Sequence, residues 1–323
     1  YELEYVLVGS EMCISASPRT QSLRDPAGHG RVHALELVLC FTCNRRRDVL
    51  DYRLELLGGL QRQQPQGIAV DNTGLIQGFL RVQPIGGFDI TVLPAQRVMV
   101  WDRAGNSHRG AFMISTKPAH LLDGTENSKF KTSDLCIDLG RTAEQVKATV
   151  NRGDQITMDR TLEVVGDSVM TKSLDDRVGV FVMIEALRKA TNAKAEIHAV
   201  ATTQEEVGLR GARVGAYTAD PDISIAIDIT LAPDFPGMNP QEYVTQLGKG
   251  AALKYFDSSV IPNYKLVDHF RDLAEANGIP YQYEFLPRGG TAAGATSLAR
   301  GGNAAFTLSI PTRYPHPVNE IAR

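Results

Sequence analysis

Two adjacent glutamates, Glu205 and Glu206, stand where an apolar segment ends and a glycine-containing turn begins. Residues 195–203 are short, largely apolar and partly β-branched, which predicts a buried strand. Two carboxylates at the mouth of such a strand repel each other and lose hydration. The simpler interpretation is a solvated loop with two surface acids. A bound cation, or a proton on one carboxylate, would also allow the pair.

A second pair of acids, Asp175 and Asp176, comes just before a predicted helix. Residues 178–187 carry apolar side chains at helical spacing, so the two aspartates lie at the helix N-terminus or immediately before it. One aspartate would serve as an ordinary N-cap. The second aspartate is left over and is available for another role.

Asp228 interrupts residues 223–230, a run that is apolar on both faces, as expected for an interior parallel strand. An unpaired aspartate there would cost several kcal/mol or stay protonated. A metal ion or a buried cation is therefore the better explanation. His316 lies between Pro315 and Pro317, just beyond the strand-like residues 304–310, and carries little information by itself.

Five residues therefore share one property, since each falls at the predicted C-terminal end of a strand or in the loop that follows: Asp175, Glu205, Glu206, Asp228 and His316. In open α/β sheets, sites assemble at that edge. Carboxylates and imidazole are suitable ligands for zinc, and a spare glutamate beside the metal can act as a general base. The residues thus predict a carboxylate-rich, hydrolytic metal site.

Several segments, in this order, resemble those of the dinuclear-zinc aminopeptidases that include the glutamyl and the tetrahedral (TET) aminopeptidases. The metal-binding segments are similar to KSLDDRVG (172–179), QEEVGLRGA (204–212) and AIDIT (226–230). Further matches are LGKG (247–250), DSS (257–259), GGT (289–291) and SIPTRY (309–314). The resemblance runs from about residue 67 to the last residue, roughly four-fifths of the chain.

The resemblance implies a role for each of the five residues. Asp175 would bridge two zinc ions, and its peptide bond to the following aspartate would be cis. Glu205 would be the general base that takes a proton from the metal-activated water. Glu206 and His316 would complete one zinc site, and Asp228 would hold the other zinc together with a histidine from an upstream segment.

That upstream segment departs from the family pattern. The ligand histidine would align with Arg62, a cation that repels zinc, and no family resemblance is visible before Gly67. A shifted reading frame and a divergent N-terminal part both explain such a break. A smaller departure is Ala292, where the family usually has aspartate. Taken literally, the sequence keeps ligands for one tightly bound zinc and has only His29 and His33 as upstream imidazoles for a second.

Candidate substrate-binding residues come from two segments. Gly289, Gly290 and Thr291 could cradle substrate, although a glycine pair is a weak signal. His120 follows a Lys-Pro-Ala segment that is similar to a family Lys-Pro-x-His segment, and it could reach a neighbouring subunit's active site. A surface loop histidine explains His120 equally well.

The domain organisation follows from the changing periodicity. Residues 74–166 are strand-like and rich in turns, whereas strands and helices alternate from about residue 169. We therefore predict an α/β catalytic domain built from residues 1–73 and 167–323, with a mixed, mostly parallel sheet flanked by helices. Residues 74–166 would form an inserted, small β-barrel-like domain that serves oligomerisation. Cys136 lies in a strand-like segment and is expected to be a small core residue.

Composition excludes some classes of function. The 323 residues are 43% hydrophobic and 22% charged with a formal net charge of −3, which gives no support for nucleic-acid or anionic-membrane binding. No apolar run approaches the length of a membrane span. The N-terminus shows no basic region followed by an apolar core, so a cytoplasmic location is expected, with a missing leader as the alternative because the sequence starts at Tyr1 and not at Met.

The sequence therefore predicts a zinc-dependent aminopeptidase that releases N-terminal residues from peptides. One or two zinc ions per chain are expected, with cobalt or manganese as substitutes. Peptides would be the substrates, and the chain would form a homo-oligomer, for which a dodecamer built from dimers is one form. The alternative is a catalytically silent homologue that acts as an assembly or peptide-binding subunit, which the absent histidine favours and Glu205 opposes.

Overall fold

The computed structural model describes residues 36–42, 67–115, 130–190 and 195–323, with backbone alone for residues 36–42, 67 and 72–76. Its first element, β1 (Glu36–Thr42), belongs to a large sheet. After β1 the chain forms a separate barrel and then returns to the large sheet for the rest of its length. Arg62, His29, His33 and His120 lie outside the described residues.

The barrel is closed by six antiparallel strands in the order β2-β3-β6-β5-β4-β7. These strands are β2 (Gly67–Ile76), β3 (Phe79–Ile85), β4 (Arg97–Trp101), β5 (Ser107–Ile114), β6 (Leu135–Asp138) and β7 (Gln155–Met158). Helix α1 (Ala143–Thr149) begins at Thr142, whose hydroxyl accepts from the main chain of Gln145. The predicted barrel is thus confirmed, while the domain boundaries at residues 74 and 166 stay a prediction.

The barrel interior is filled by side chains that alternate along its strands. Val98 and Val100 of β4, and Leu135 and Ile137 of β6, are almost completely buried. Cys136 lies between the last two and is half-buried, because the alternation of a strand turns it to the other face. The expectation that Cys136 is a core residue is therefore wrong.

Among the described residues, the large sheet has nine strands in the order β10-β1-β11-β14-β15-β9-β8, with β12 also paired to β14 and β13 to β12. Its remaining strands are β8 (Glu163–Val165), β9 (Ser168–Thr171), β10 (Glu196–Thr202), β11 (Ile223–Leu231), β12 (Ala251–Phe256), β13 (Tyr281–Phe285), β14 (Ala304–Arg313) and β15 (Glu320–Ala322). The helices that accompany it are α2 (Leu174–Lys189), α3 (Arg210–Ala219), α4 (Tyr264–Ala276) and α5 (Ala292–Thr296). In the described parts of the chain, no helix has the length and apolar character needed to cross a membrane.

The prediction of a mostly parallel sheet is wrong. In the part of the chain that the structure describes, β11 pairs in parallel with β14 and β12 with β13, and the other pairings of the sheet are antiparallel. Alternating strands and helices predict parallel strands but not which strands become neighbours. Here β1 is inserted between β10 and β11, and β15 between β14 and β9.

Four strands nevertheless run in the same direction. β10 and β11 are both antiparallel to β1, and β14 is parallel to β11. β9 and β14 are both antiparallel to β15. The carboxyl ends of β9, β10, β11 and β14 therefore meet along one edge of the sheet, which is the arrangement that the sequence predicts for the site.

Each face of the sheet has its own layer of helices. Large side chains of α2 and α4, such as Met183 and Val267, belong to one buried cluster with Ile225 and Ile227 of β11. The opposite face is built from alanines of α3, α5 and the strands, including Ala226. Glycines allow α3 to approach closely, since a Cβ on Gly211 would lie 2.4 Å from the main-chain nitrogen of Thr203. The rigid sheet edge between these layers positions the side chains of the site.

Candidate metal centre

One cavity of about 570 Å³ collects the predicted site residues that the structure describes. It is lined by Asp175, Glu205, Glu206, Asp228, Gly289, Gly290, Thr291 and His316. These residues come from the loops after β9, β10, β13 and β14 and from the end of β11. The same-direction strands thus bring together groups that are up to 141 positions apart in the sequence (175 and 316), and the loop after β13, which runs in the opposite direction, adds residues 289–291.

Three of these residues form a compact set of potential ligands. One carboxylate oxygen of Asp175, one of Glu206 and one ring nitrogen of His316 all lie within 4.8 Å of one another. His316 Nε2 is 3.6 Å from Asp175 Oδ2. The ligands of a single zinc lie about 2.0–2.2 Å from the ion and hence at most about 4.4 Å apart. Small side-chain movements would therefore bring this set to zinc geometry.

The orientation of the His316 ring is set by the barrel. His316 Nδ1 is 2.8 Å from the main-chain oxygen of Gly87, in the loop after β3. A carbonyl oxygen only accepts, so Nδ1 carries the hydrogen and Nε2 presents its lone pair. Such a hydrogen bond on the far nitrogen is the usual support of a ligating histidine.

The two adjacent aspartates have different surroundings. The Asp175–Asp176 peptide bond is cis, as the resemblance implies. Asp176 is buried, and its Oδ1 accepts from the main chain of Gly179 at 2.9 Å, so it caps α2. A Cβ on Gly179 would lie 2.2 Å from Asp176 Oδ2, which requires glycine at this position. Asp176 thus provides the cap, while Asp175 lines the cavity.

Glu205 begins the turn after β10. Its main-chain oxygen accepts from Gly208 and Leu209 at 2.8 Å each, which fixes the turn. Burial raises the pKa of the Glu205 carboxyl to about 9, and the nearby charges of Asp228 and Glu206 add to the increase. A carboxyl with a raised pKa holds a proton well, which is suited to general acid–base chemistry.

The buried carboxylates of the centre repel one another, so a bound cation would stabilise them. Burial is the main cause that raises the pKa of Asp175 well above its usual range, and repulsion from Glu206 and Asp228 adds to it. Asp228 is itself buried, and its Oδ1 accepts from the main chain of Ile229 at 2.7 Å. Buried carboxylates in contact are stable when a cation neutralises them. Two carboxylates and an imidazole are a donor set that fits zinc.

The wall opposite the carboxylates is a glycine-containing loop held by Asp257. Asp257 Oδ2 accepts from the Thr291 hydroxyl at 3.1 Å, and its Oδ1 accepts from Ser259. The main-chain oxygen of Gly289 accepts from the nitrogen of Ser258 at 3.0 Å. A Cβ on Gly290 would lie 2.8 Å from Ser259 Oγ, so the loop packs too closely for a larger residue.

Two residues near the centre were not found from the sequence. Lys254 lines the cavity, is 1% exposed, and its Nζ lies 2.6 Å from Glu284 Oε1. Glu320 in β15 is also 1% exposed and accepts main-chain hydrogen bonds from Asp175 and His316. Burial raises the pKa of Glu320 to about 7, while these hydrogen bonds oppose the increase. Its one sequence signal is a carboxylate four residues after His316, before apolar Ile321 and Ala322.

Comparison with known proteins identifies the class. Residues 70–323 match the family model of the M42 glutamyl aminopeptidases. The chain is 34% identical over 254 residues to the lysyl aminopeptidase of Pyrococcus furiosus, covering 76% of this chain and 70% of that protein.

Solved structures show the same likeness. Aminopeptidase APDkam598 from Desulfurococcus kamchatkensis superposes with a TM-score of 0.74 at 36% identity, covering 80% of this chain and 72% of that one. The TET1 peptidase of Pyrococcus horikoshii, described as assembling into a tetrahedron or a large octahedral shell, gives a TM-score of 0.68 at 30% identity, covering 80% and 76%.

The chain therefore belongs to the M42 glutamyl aminopeptidase family. It is an aminopeptidase, a hydrolase that releases N-terminal residues from peptides.

Proposed function

We propose that this aminopeptidase is a zinc enzyme whose metal is held by Asp175, Glu206 and His316, with Glu205 as the general base. The convergence of one imidazole and two carboxylates within 4.8 Å, beside a third carboxylate, carries this proposal. When bound, zinc supplies a Lewis acid that polarises the scissile carbonyl and lowers the pKa of water.

Each protein group then has a defined task. The carboxylate of Glu205 takes a proton from the attacking water and returns it to the leaving amine. Burial raises the pKa of this carboxyl in the metal-free protein, which suits the return of the proton to the amine, while a bound cation would favour the carboxylate form that accepts the proton. Gly289, Gly290 and Thr291 form the wall against which the substrate main chain is placed. We also propose that His120 reaches the active site of a neighbouring subunit.

A second metal position would use Asp175 as a bridge together with Asp228. Among the described residues, the cavity offers no second imidazole beside His316. Two carboxylates and water suit magnesium or calcium better than zinc. We therefore assign one tightly held zinc to each chain and a weaker second position to Asp228, with cobalt or manganese as substitutes.

The barrel, whose strands lie between Gly67 and Met158, is proposed to be the oligomerisation module, with residues 74–166 as the predicted bounds of a domain inserted between two parts of the catalytic domain. The similarity to the P. horikoshii TET1 peptidase, which assembles into closed shells, supports a homo-oligomer here. A dodecamer built from dimers is one such assembly, and a cytoplasmic location is the corresponding expectation.

Turnover of a panel of aminoacyl 4-nitroanilides tests this function. We expect hydrolysis that is lost after removal of metal by a chelator and restored by stoichiometric zinc. Cobalt and manganese are the comparison metals. Full activity of chelator-treated, metal-free protein would contradict the zinc proposal. Tight zinc binding without turnover of any anilide or peptide would instead support the silent homologue.

A further inference from the structure

Glu320 connects the two segments that carry Asp175 and His316. Its Oε2 accepts the main-chain hydrogen of Asp175 at 3.2 Å, and its Oε1 accepts that of His316 at 3.2 Å. Asp175 follows β9 and His316 follows β14, so one side chain ties together loops that are remote in sequence. Glu320 is 1% exposed and does not line the cavity, which separates it from the ligands themselves.

The backbone near both ligands needs this support. His316 has φ +69° and Tyr314 has φ +55°, and both lie in the left-handed region that residues other than glycine rarely adopt. Ser173, two residues before Asp175, has φ +53°. Such conformations persist only where the surrounding structure determines them. The main-chain hydrogen bond from His316 to Glu320 acts directly on one of these residues.

A carboxylate is the side chain that can make both contacts. It has two oxygens that only accept, so each can face one N–H group. A glutamine of the same size would place an NH₂ group against one of the two N–H groups and lose that hydrogen bond. The arrangement therefore depends on the chemistry of Glu320 and not only on its volume.

We propose that Glu320 is a positioning residue that fixes the distance between the Asp175 carboxylate and the His316 imidazole and thereby sets the zinc affinity of the centre. The ring of His316 is oriented from the other side by Gly87, so Glu320 fixes its main chain while the barrel fixes its rotation. This inference rests on the proposed function, since it assumes that these two residues bind the metal.

Zinc affinity of the full chain, measured by competition with a chromogenic chelator at fixed pH, tests the proposal. We expect Glu320→Gln to raise the dissociation constant of zinc by about 10- to 100-fold, the usual effect of losing a group that supports a ligand. The visible absorption of the cobalt-loaded variant should also shift, because the ligand geometry changes. The melting temperature of the metal-free protein is measured together with the zinc affinity and the cobalt spectrum.

Asp154→Asn is the matched control. Asp154 is a buried carboxylate of the barrel region that accepts from the main chain of Asn151 at 2.7 Å, away from the cavity. The same change from carboxylate to amide should lower the melting temperature of the metal-free protein yet leave the zinc affinity within about twofold of the native value. A loss of stability alone is thereby distinguished from a loss of positioning.

A folded Glu320→Gln protein with native zinc affinity and a native cobalt spectrum would overturn the inference. If Glu320→Gln does not fold, Glu320→Asp takes its place, since it keeps both acceptors but withdraws them by one methylene. Native zinc affinity in Glu320→Asp would then overturn the inference. Absence of zinc binding by the native chain would refute the proposed function and this inference together, so the two failures are distinguishable.

Discussion

His316 donates a hydrogen bond from Nδ1 to the main-chain oxygen of Gly87 at 2.8 Å, across the boundary between the large sheet and the barrel. The barrel is therefore in direct contact with a candidate zinc ligand. This contact leaves Nε2 free to face Asp175, 3.6 Å away. The tautomer and the rotation of the imidazole are thus determined by a loop that precedes the catalytic segments by more than 80 residues (87 to 175).

Replacing Glu205 by glutamine should separate catalysis from metal binding. Glu205→Gln keeps the shape of the side chain and removes the proton acceptor, so anilide hydrolysis should fall by about 10²-fold or more while zinc content is unchanged. Steady-state kinetics and metal analysis on the same preparation measure both. Glu206→Gln is the matched control, in which zinc affinity should fall first. Native activity in Glu205→Gln would exclude it as the general base.

Metal analysis of the purified chain should find one tightly bound zinc per protomer. Asp175, Glu206 and His316 provide a complete set for one ion, with water as the fourth ligand. A second ion at Asp175 and Asp228 should be removed by mild dialysis. Two zinc ions that survive dialysis would contradict this prediction. They would require a further histidine, for which His29 and His33 are the upstream candidates.

The metal-free protein should become less stable as the pH rises. The folded pKa of Glu205 is raised to about 9 from an ordinary value of about 4.3. Between these values the folded state binds more protons than the unfolded state, so this contribution to stability is complete below about pH 4.3 and is lost as the pH rises to 9. Melting temperatures in the presence of a chelator should therefore fall between about pH 5.5 and 9.

Zinc and Glu205→Gln are the controls for that pH dependence. Bound zinc neutralises the cluster, so the zinc-loaded protein should show a smaller decrease over the same range. Glu205→Gln removes one titrating group and should also flatten the profile of the metal-free protein. A melting temperature of the metal-free native protein that rises over this range would show that the carboxyl groups do not titrate as described.

Adding a methyl group at Gly179 should disturb the centre through Asp176. The new Cβ would lie 2.2 Å from Asp176 Oδ2, so the cap of α2 must move. We expect Gly179→Ala to cost about 1–3 kcal/mol in the free energy of unfolding and to weaken zinc binding. Gly301→Ala is the control, because a Cβ there has no neighbour within 4 Å. The free energy of unfolding of both variants is measured with a denaturant. An equal decrease in the two variants would contradict the role given to the close contact between Gly179 and Asp176.

The sequence predicts individual elements better than their arrangement. The helical spacing of residues 178–187 and the apolar run of residues 223–230 are local signals, and α2 and β11 form at these positions. The neighbours of a strand depend on long-range packing, so nothing in the periodicity of residues 195–231 indicates that β1 would separate β10 from β11. β10 and β11 nevertheless run in the same direction, and that shared direction places the site.

The candidate site also contains residues that the sequence reveals and residues that it does not. Glu205 and Asp228 could be found because a carboxylate at the end of an apolar strand is unusual in itself. Glu320 has no such signal, since its importance arises from two main-chain contacts, one of them 145 positions away. Gly87 contributes only a main-chain oxygen, which no side-chain pattern can reveal. Groups that support ligands are therefore harder to predict than the ligands.

The order of the strands has a consequence for biosynthesis. The carboxylates of Asp175, Glu206 and Asp228 leave the ribosome long before His316, which follows β14. Of the proposed ligands, a nascent chain at that stage carries the carboxylates alone, a set that suits magnesium or calcium better than zinc. In the proposed centre, the preference for zinc is therefore acquired only when residues 316–320 are added and folded.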